Sequence, residues 1–114
     1  MTPFAIDKPA ILERLGGDED IYLMMLDVFL QDIDNNCAAI EAAAASGDPV
    51  RLQREAHTLK SLFATVSDDA GSAEALVLER RAKEGRVDGA VDAAAHLVER
   101  LRDVAVVLER ELGR

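Results

Sequence analysis

The residues best equipped for chemistry lie in the run "REAHTLKSLFAT", residues 54–65. It holds His57, one of only two histidines in the chain. A neutral imidazole is a nucleophile near neutral pH. Whether His57 can act as one depends on where it faces and what stands beside it. The run reads as an amphipathic helix, which turns about 100° per residue. With His57 set at zero, Leu52, Ala56, Leu59, Leu62, Phe63 and Val66 fall between about 140° and 260° and form the core face. His57 therefore faces water. Val50, Gln53, Arg54, Lys60, Ser61 and Ala64 lie on the same outer face. Arg54 and Lys60 stand one turn away on either side, where helical side chains meet.

That setting suits a phosphoryl group carried on the ring. Arg54 and Lys60 would meet its negative charge, with Gln53 and Ser61 beside them. Ser61 and Ala64 are small and leave room for the group and for an approaching partner. Val50, Leu62 and Ala64 are candidates for the surface on which that partner docks. His96 serves as an internal control. It also falls opposite an apolar stripe, but Glu99 follows at i+3 and Asp92 precedes at i−4, which would repel a phosphoryl group. By itself, an exposed histidine beside a lysine is an ordinary surface feature.

The elements that must carry this site are helical. Apolar residues make up 49% of the 114, and aromatic residues only 4%. An Ala-rich, aliphatic core with few Gly and Pro favours helices over sheet. Asp7, Pro9 and Gly16-Gly17 bound a short first helix. Asp18 opens a second that runs to about Ala45, with Tyr22, Met25, Leu26, Phe29, Ile33, Cys37, Ile40 and Ala44 as its apolar stripe. "SGDP" at 46–49 ends it, and Asp48-Pro49 starts the third helix, which runs to about Val66. "SDD" at 67–69 is a short break before a fourth helix to about Glu84. "EGRVDG" at 84–89 is a turn, with Asp88 as candidate cap of the last helix. That helix carries Val91, Ala94, Val98, Leu101, Ala105, Leu108 and Leu112. Short connections make neighbours antiparallel, so the expected architecture is all-α: an antiparallel up-down four-helix bundle with a short extra N-terminal helix. One domain spans 1–114, its core about 8–112.

Composition narrows the function classes. Thirteen basic and 22 acidic residues give a net charge of −9, which disfavours nucleic acid and anionic membranes as partners. The single cysteine, Cys37, fits the core stripe of the second helix and a reducing compartment. The N-terminus lacks the pattern of a signal peptide, and no apolar run approaches the roughly 18–20 residues of a membrane span. A cytoplasmic location is expected. "DEDIY" and "DIDN" do not have the spacing of a calcium loop and read as solvated helix faces, so no metal site is expected. Met24 and Met25 read as packing residues. The basic run "LERRAKEGR" at 78–86 suits a helix C-terminus.

"AHTLKS", followed by "ATVS" and "SAEALVLE", resembles the signature of histidine-containing phosphotransfer (HPt) domains, roughly A-H-x-L-K-G-x-x-x-x-[LV]-G with a downstream S-x-x-A-x-x-L-E. Ala56, His57, Leu59, Lys60, Val66, Ser72, Ala75, Leu78 and Glu79 match in order. The upstream "LGGDE" and the "SGD" turn also match, so the resemblance covers roughly residues 8–110. It implies a phosphocarrier without kinase activity of its own, an intermediate in a multistep two-component phosphorelay. His57 would exchange a phosphoryl group with the aspartate of a response-regulator receiver domain. The partners implied are such receivers and a hybrid sensor histidine kinase, with the chain itself a monomer. No cofactor is implied for this chain, because the Mg²⁺ belongs to the receiver.

The chain departs from the pattern at four places. Ser61 replaces the glycine after the lysine. Leu62 and Phe63 replace a small polar pair. Ser67 stands at a glycine, and Gly71 stands where leucine is common and is expected to loosen the fourth helix. The departures at 61–63 keep open a module that binds receivers by occupancy without carrying phosphate. A plain structural bundle is the remaining alternative.

Overall fold

A computed structural model describes residues 1–114. It consists of α1 (Lys8–Arg14), α2 (Glu19–Ser46), α3 (Pro49–Thr65), α4 (Asp69–Lys83) and α5 (Ala90–Glu111), with no strand. Helices α2 to α5 form the bundle. α3 packs between α2 and α4, and α5 closes the ring against α2 and α4. The short α1 lies against α2, and its Arg14 donates to the Thr65 carbonyl at 2.8 Å. That bond meets one of the orphan acceptors at the C-terminal end of α3.

Local chemistry explains most boundaries. Asp7, Asp18, Asp48 and Asp68 each accept a hydrogen bond from a backbone N–H in the first turn of the helix they precede. Gly47 ends α2 in the left-handed conformation, φ +71°, which glycine enters without steric cost. The last helix differs from expectation. Gly89 is its N-cap, with no side-chain cap bond. Asp88 instead binds Arg81, which donates to both its carbonyl (2.8 Å) and its carboxylate (3.2 Å). The basic run at the end of α4 thus includes the residue that closes the α4–α5 turn.

The core is a single cluster of aliphatic side chains with Tyr22, Phe29 and Phe63. The expected stripe of α2 is buried except for Met25, which is half-buried. On α5 the buried face is turned from the expected one. Leu97 and Val104 are inside, while Val91 is 61% exposed and Val98 is half-buried. α5 must cover α2 and α4 together, so its buried face is centred between two partners and is wider than one stripe.

The break between α3 and α4 decides the position of the site. Ser67 has φ +59°. Its N–H bonds to the Ala64 carbonyl (3.0 Å), and the Asp68 N–H bonds to the Phe63 carbonyl (2.8 Å). This is the paired pattern that ends a helix through a left-handed residue, where glycine is usual. A serine here bears the steric cost of its Cβ. Ser67→Gly is therefore expected to stabilise the fold by about 1 kcal/mol, measured by denaturant unfolding.

Gly71 does not loosen α4; close packing requires it. A Cβ there would stand 2.6 Å from Phe63 Cδ1 and 2.5 Å from Asp68 Oδ2. Phe63 is fully buried, and the Asp68 carboxylate is held by Arg100. Neither can yield. Overpacking costs about 1–3 kcal/mol, against about 1 kcal/mol that alanine gains in helix propensity. Gly71→Ala is expected to lower stability by about 1–2 kcal/mol, and Phe63→Leu in the same chain should cost less than the two changes added.

Candidate functional site

His57 lies in the third turn of α3 with its side chain 58% exposed. The outward orientation expected from the helical spacing is the one found. Its Nδ1 is 2.7 Å from Oε2 of Glu79, which reaches across from α4. The other oxygen of the same carboxylate, Oε1, is 2.9 Å from Lys60 Nζ. The Lys60 contact is close enough for an ion pair but off the line of a regular hydrogen bond, so Oε1 has its charge met and its lone pairs incompletely used.

Glu79 is only 13% exposed. Burial pushes its carboxyl up, but the contacts with Lys60 and then His57 more than offset this and hold it below the ordinary carboxylate range. At neutral pH it is a carboxylate and only accepts hydrogen bonds. The proton in the His57 contact therefore sits on Nδ1, and Nε2 keeps a free lone pair on an exposed ring. This is the logic by which a buried carboxylate selects a histidine tautomer.

The cleft that holds these groups is built by α3 and α4. The Ser72 hydroxyl donates to the Lys60 carbonyl at 3.3 Å and ties the two helices at that level. Lys60 is half-buried, its side chain 29% exposed. Arg54, Ser61 and Ala64 are exposed on the outer face with His57, and Gln53 is half-buried. Arg54 has no carboxylate within ion-pair distance, so its guanidinium is free. Val50 is 63% exposed.

The departures at 61–63 leave the ring open. Phe63 points into the core, and Leu62 is half-buried on the side toward α2. There it joins Ile21, Met24, Val28 and Thr65 along a shallow apolar groove. Met24, expected as packing, is 59% exposed and belongs to this groove. At 100° per residue it stands off the buried stripe that Met25 borders. A second groove, lined by Arg14, Met25, Ser61, Ala64 and Thr65 among others, lies beside it along α3.

Sequence reasoning left open which group orients the His57 ring; the answer is Glu79. It matched the family pattern without a role attached to it. The other histidine has a different setting. His96 is exposed and shares a groove with Glu74, Glu99 and Asp103, an acidic environment as the spacing implied. No group of three or more His, Cys, Asp or Glu side chains is arranged to hold a metal ion. No helix is long and apolar enough to cross a membrane.

The crystal structure of histidine-containing phosphotransfer protein B (HptB) from Pseudomonas aeruginosa PAO1 superposes with a TM-score of 0.84. The match covers 96% of this chain and 95% of that one, at 22% sequence identity, and it shows the shared fold. No curated protein sequence matches the chain. The sequence model of the Hpt domain matches residues 24–110, which include α3, α4 and most of α2 and α5. With that match over most of its length, the chain belongs to the Hpt domain family.

Proposed function

We propose that the protein is a phosphorelay intermediate in which His57 Nε2 exchanges a phosphoryl group with the aspartate of a response-regulator receiver domain. The observation that carries this reading is the bond from Nδ1 to Glu79, which leaves Nε2 as the nucleophile on an exposed ring. In the accepting direction the Nε2 lone pair forms the N–P bond. The P–O bond to the receiver's aspartate breaks, and its electron pair leaves on the aspartate carboxylate. The proton stays on Nδ1, and the ring takes a positive charge facing Glu79. The reverse sequence returns the phosphoryl group.

Arg54 and Lys60 supply positive charge around the ring in a chain whose net charge is −9, and Gln53 and Ser61 border the same face. The Mg²⁺ is assigned to the receiver, and the chain to a carrier role without kinase activity of its own. Val50, Leu62 and Ala64, with the apolar groove of Ile21, Met24 and Val28, form the surface assigned to the docking partner, a receiver or the receiver-bearing part of a hybrid kinase. The occupancy reading loses its motive, because Phe63 is in the core and Ser61 keeps the approach to the ring free.

The test is label transfer. Receiver domains charged with a small phosphodonor and Mg²⁺ are mixed with the protein. An acid-labile, base-stable label on this chain is expected. Binding without label would establish the occupancy reading instead. Absence of both across a panel of receivers would favour a structural bundle.

A further inference from the structure

One carboxylate serves two partners in this site. Glu79 Oε2 accepts from His57 Nδ1, and Oε1 faces Lys60 Nζ. On the reading of His57 as phosphoacceptor, the phosphoryl group is carried on Nε2, at the other nitrogen of the ring. The Lys60 ammonium is thus engaged through Glu79 at the Nδ1 side. We propose that Lys60 is a positioning residue that acts on the transfer through Glu79, as the outer member of a Lys60–Glu79–His57 relay, and not by contact with the phosphoryl group.

Three features support the relay. First, a carboxylate with one partner can turn about its last bond, whereas a second partner on the other oxygen fixes its plane. Lys60 therefore aims Oε2 at the ring, as an outer-shell group aims a metal-bound histidine. Second, Lys60 is itself restrained. Its carbonyl accepts from Ser72, and its side chain is half-buried between α3 and α4, where an ion pair is stronger than on an open surface. Third, moving the ammonium to the phosphoryl group would leave Glu79 Oε1 buried without a counter-charge, which is costly. Arg54 has no such tie. It is exposed, stands one turn before His57 and has no carboxylate partner, so it is the cation left to meet the phosphoryl oxygens.

The relay and direct contact differ in a double-mutant cycle. The initial rate of label uptake from a phosphorylated receiver is compared for the natural chain, Lys60→Met, Glu79→Gln and the double variant. Outer-shell changes of this kind typically cost about tenfold. The relay predicts a loss of roughly tenfold for each single variant and about the same for the double, because the two residues act as one unit. Independent roles would multiply to roughly a hundredfold and overturn the proposal.

The second readout needs no phosphate. Imidazole ¹⁵N resonances of the free protein report the His57 tautomer. A mixture of tautomers is expected in Lys60→Met as well as in Glu79→Gln, and Lys60→Arg should restore much of the single form. A Lys60→Met ring that keeps the natural tautomer would overturn the relay even if its transfer were slow. A natural chain that takes no label from any receiver would sink the phosphoacceptor reading, while the resonances would still decide the relay.

Discussion

His57→Gln is expected to abolish label uptake from a phosphorylated receiver, with a loss of at least about a hundredfold in rate and no plateau of labelled product. Glutamine has no ring nitrogen to form the N–P bond, so no residual pathway through this position remains. The fold should be untouched. The side chain is 58% exposed, and exposed helical substitutions away from special contacts typically change stability by no more than about 0.5 kcal/mol. Circular dichroism and unfolding of the variant should match the natural chain. His96→Gln is the paired control and should keep full uptake. A label that persists in His57→Gln would place the acceptor elsewhere. A label lost in both variants would point to damaged folding, which the unfolding curves would reveal.

The largest effect on stability is expected at the far end of the α3–α4 break. Asp68 and Arg100 are the two charged residues in the buried set, 3% and 6% exposed. They form a two-pronged ion pair, Nε to Oδ2 and Nη2 to Oδ1, both at 2.7 Å. Arg100 also donates to the Thr2 carbonyl at 2.6 Å, and its guanidinium lies 6.0 Å from the centre of the Phe4 ring. The hydrogen bond to Asp68 holds the guanidinium pKa above its ordinary value despite burial. Asp68 has a second duty, since it caps α4 through the Gly71 N–H.

Asp68→Ala strands a buried cation and removes a cap. Breaking such a pair costs about 3–5 kcal/mol, and the cap adds about 1 kcal/mol. A domain of this size has only about 5–15 kcal/mol in total, so the variant should melt roughly 15 °C or more below the natural chain. Asp68→Ala combined with Arg100→Leu should lose less than Asp68→Ala alone, because no uncompensated charge remains. Equal loss in the single and double variants would show that the cap and packing matter more than the charge pair. Asp68 lies outside the His57 cluster, so the folded fraction of Asp68→Ala should still accept label.

Which residues sequence reasoning could place, and which it could not, follows from distance along the chain. Punctuation and apolar spacing are local properties, set within one or two helical turns. They were enough for five helices close to the observed bounds, for the outward face of His57 and for the acidic surroundings of His96. They did worse on α5, where the buried face is an average over two neighbours and not a property of the helix alone. Asp88, a plausible cap by local rules, was taken instead by Arg81 from the preceding helix.

Two departures from the family pattern, Phe63 and Gly71, looked like separate irregularities in the chain. In three dimensions they are one exchange of volume, the large ring on α3 filling the space that a side chain on α4 would need. The residue that orients His57 lies 22 positions away, and the partner of Asp68 lies 32 positions away. Such pairings depend on the register of one helix against another, which no periodicity within either helix encodes. The sequence by itself determined the helices, the exposed histidine and the family. Only the packing of α4 against α3 decided that Glu79 holds the ring and that Lys60 holds Glu79.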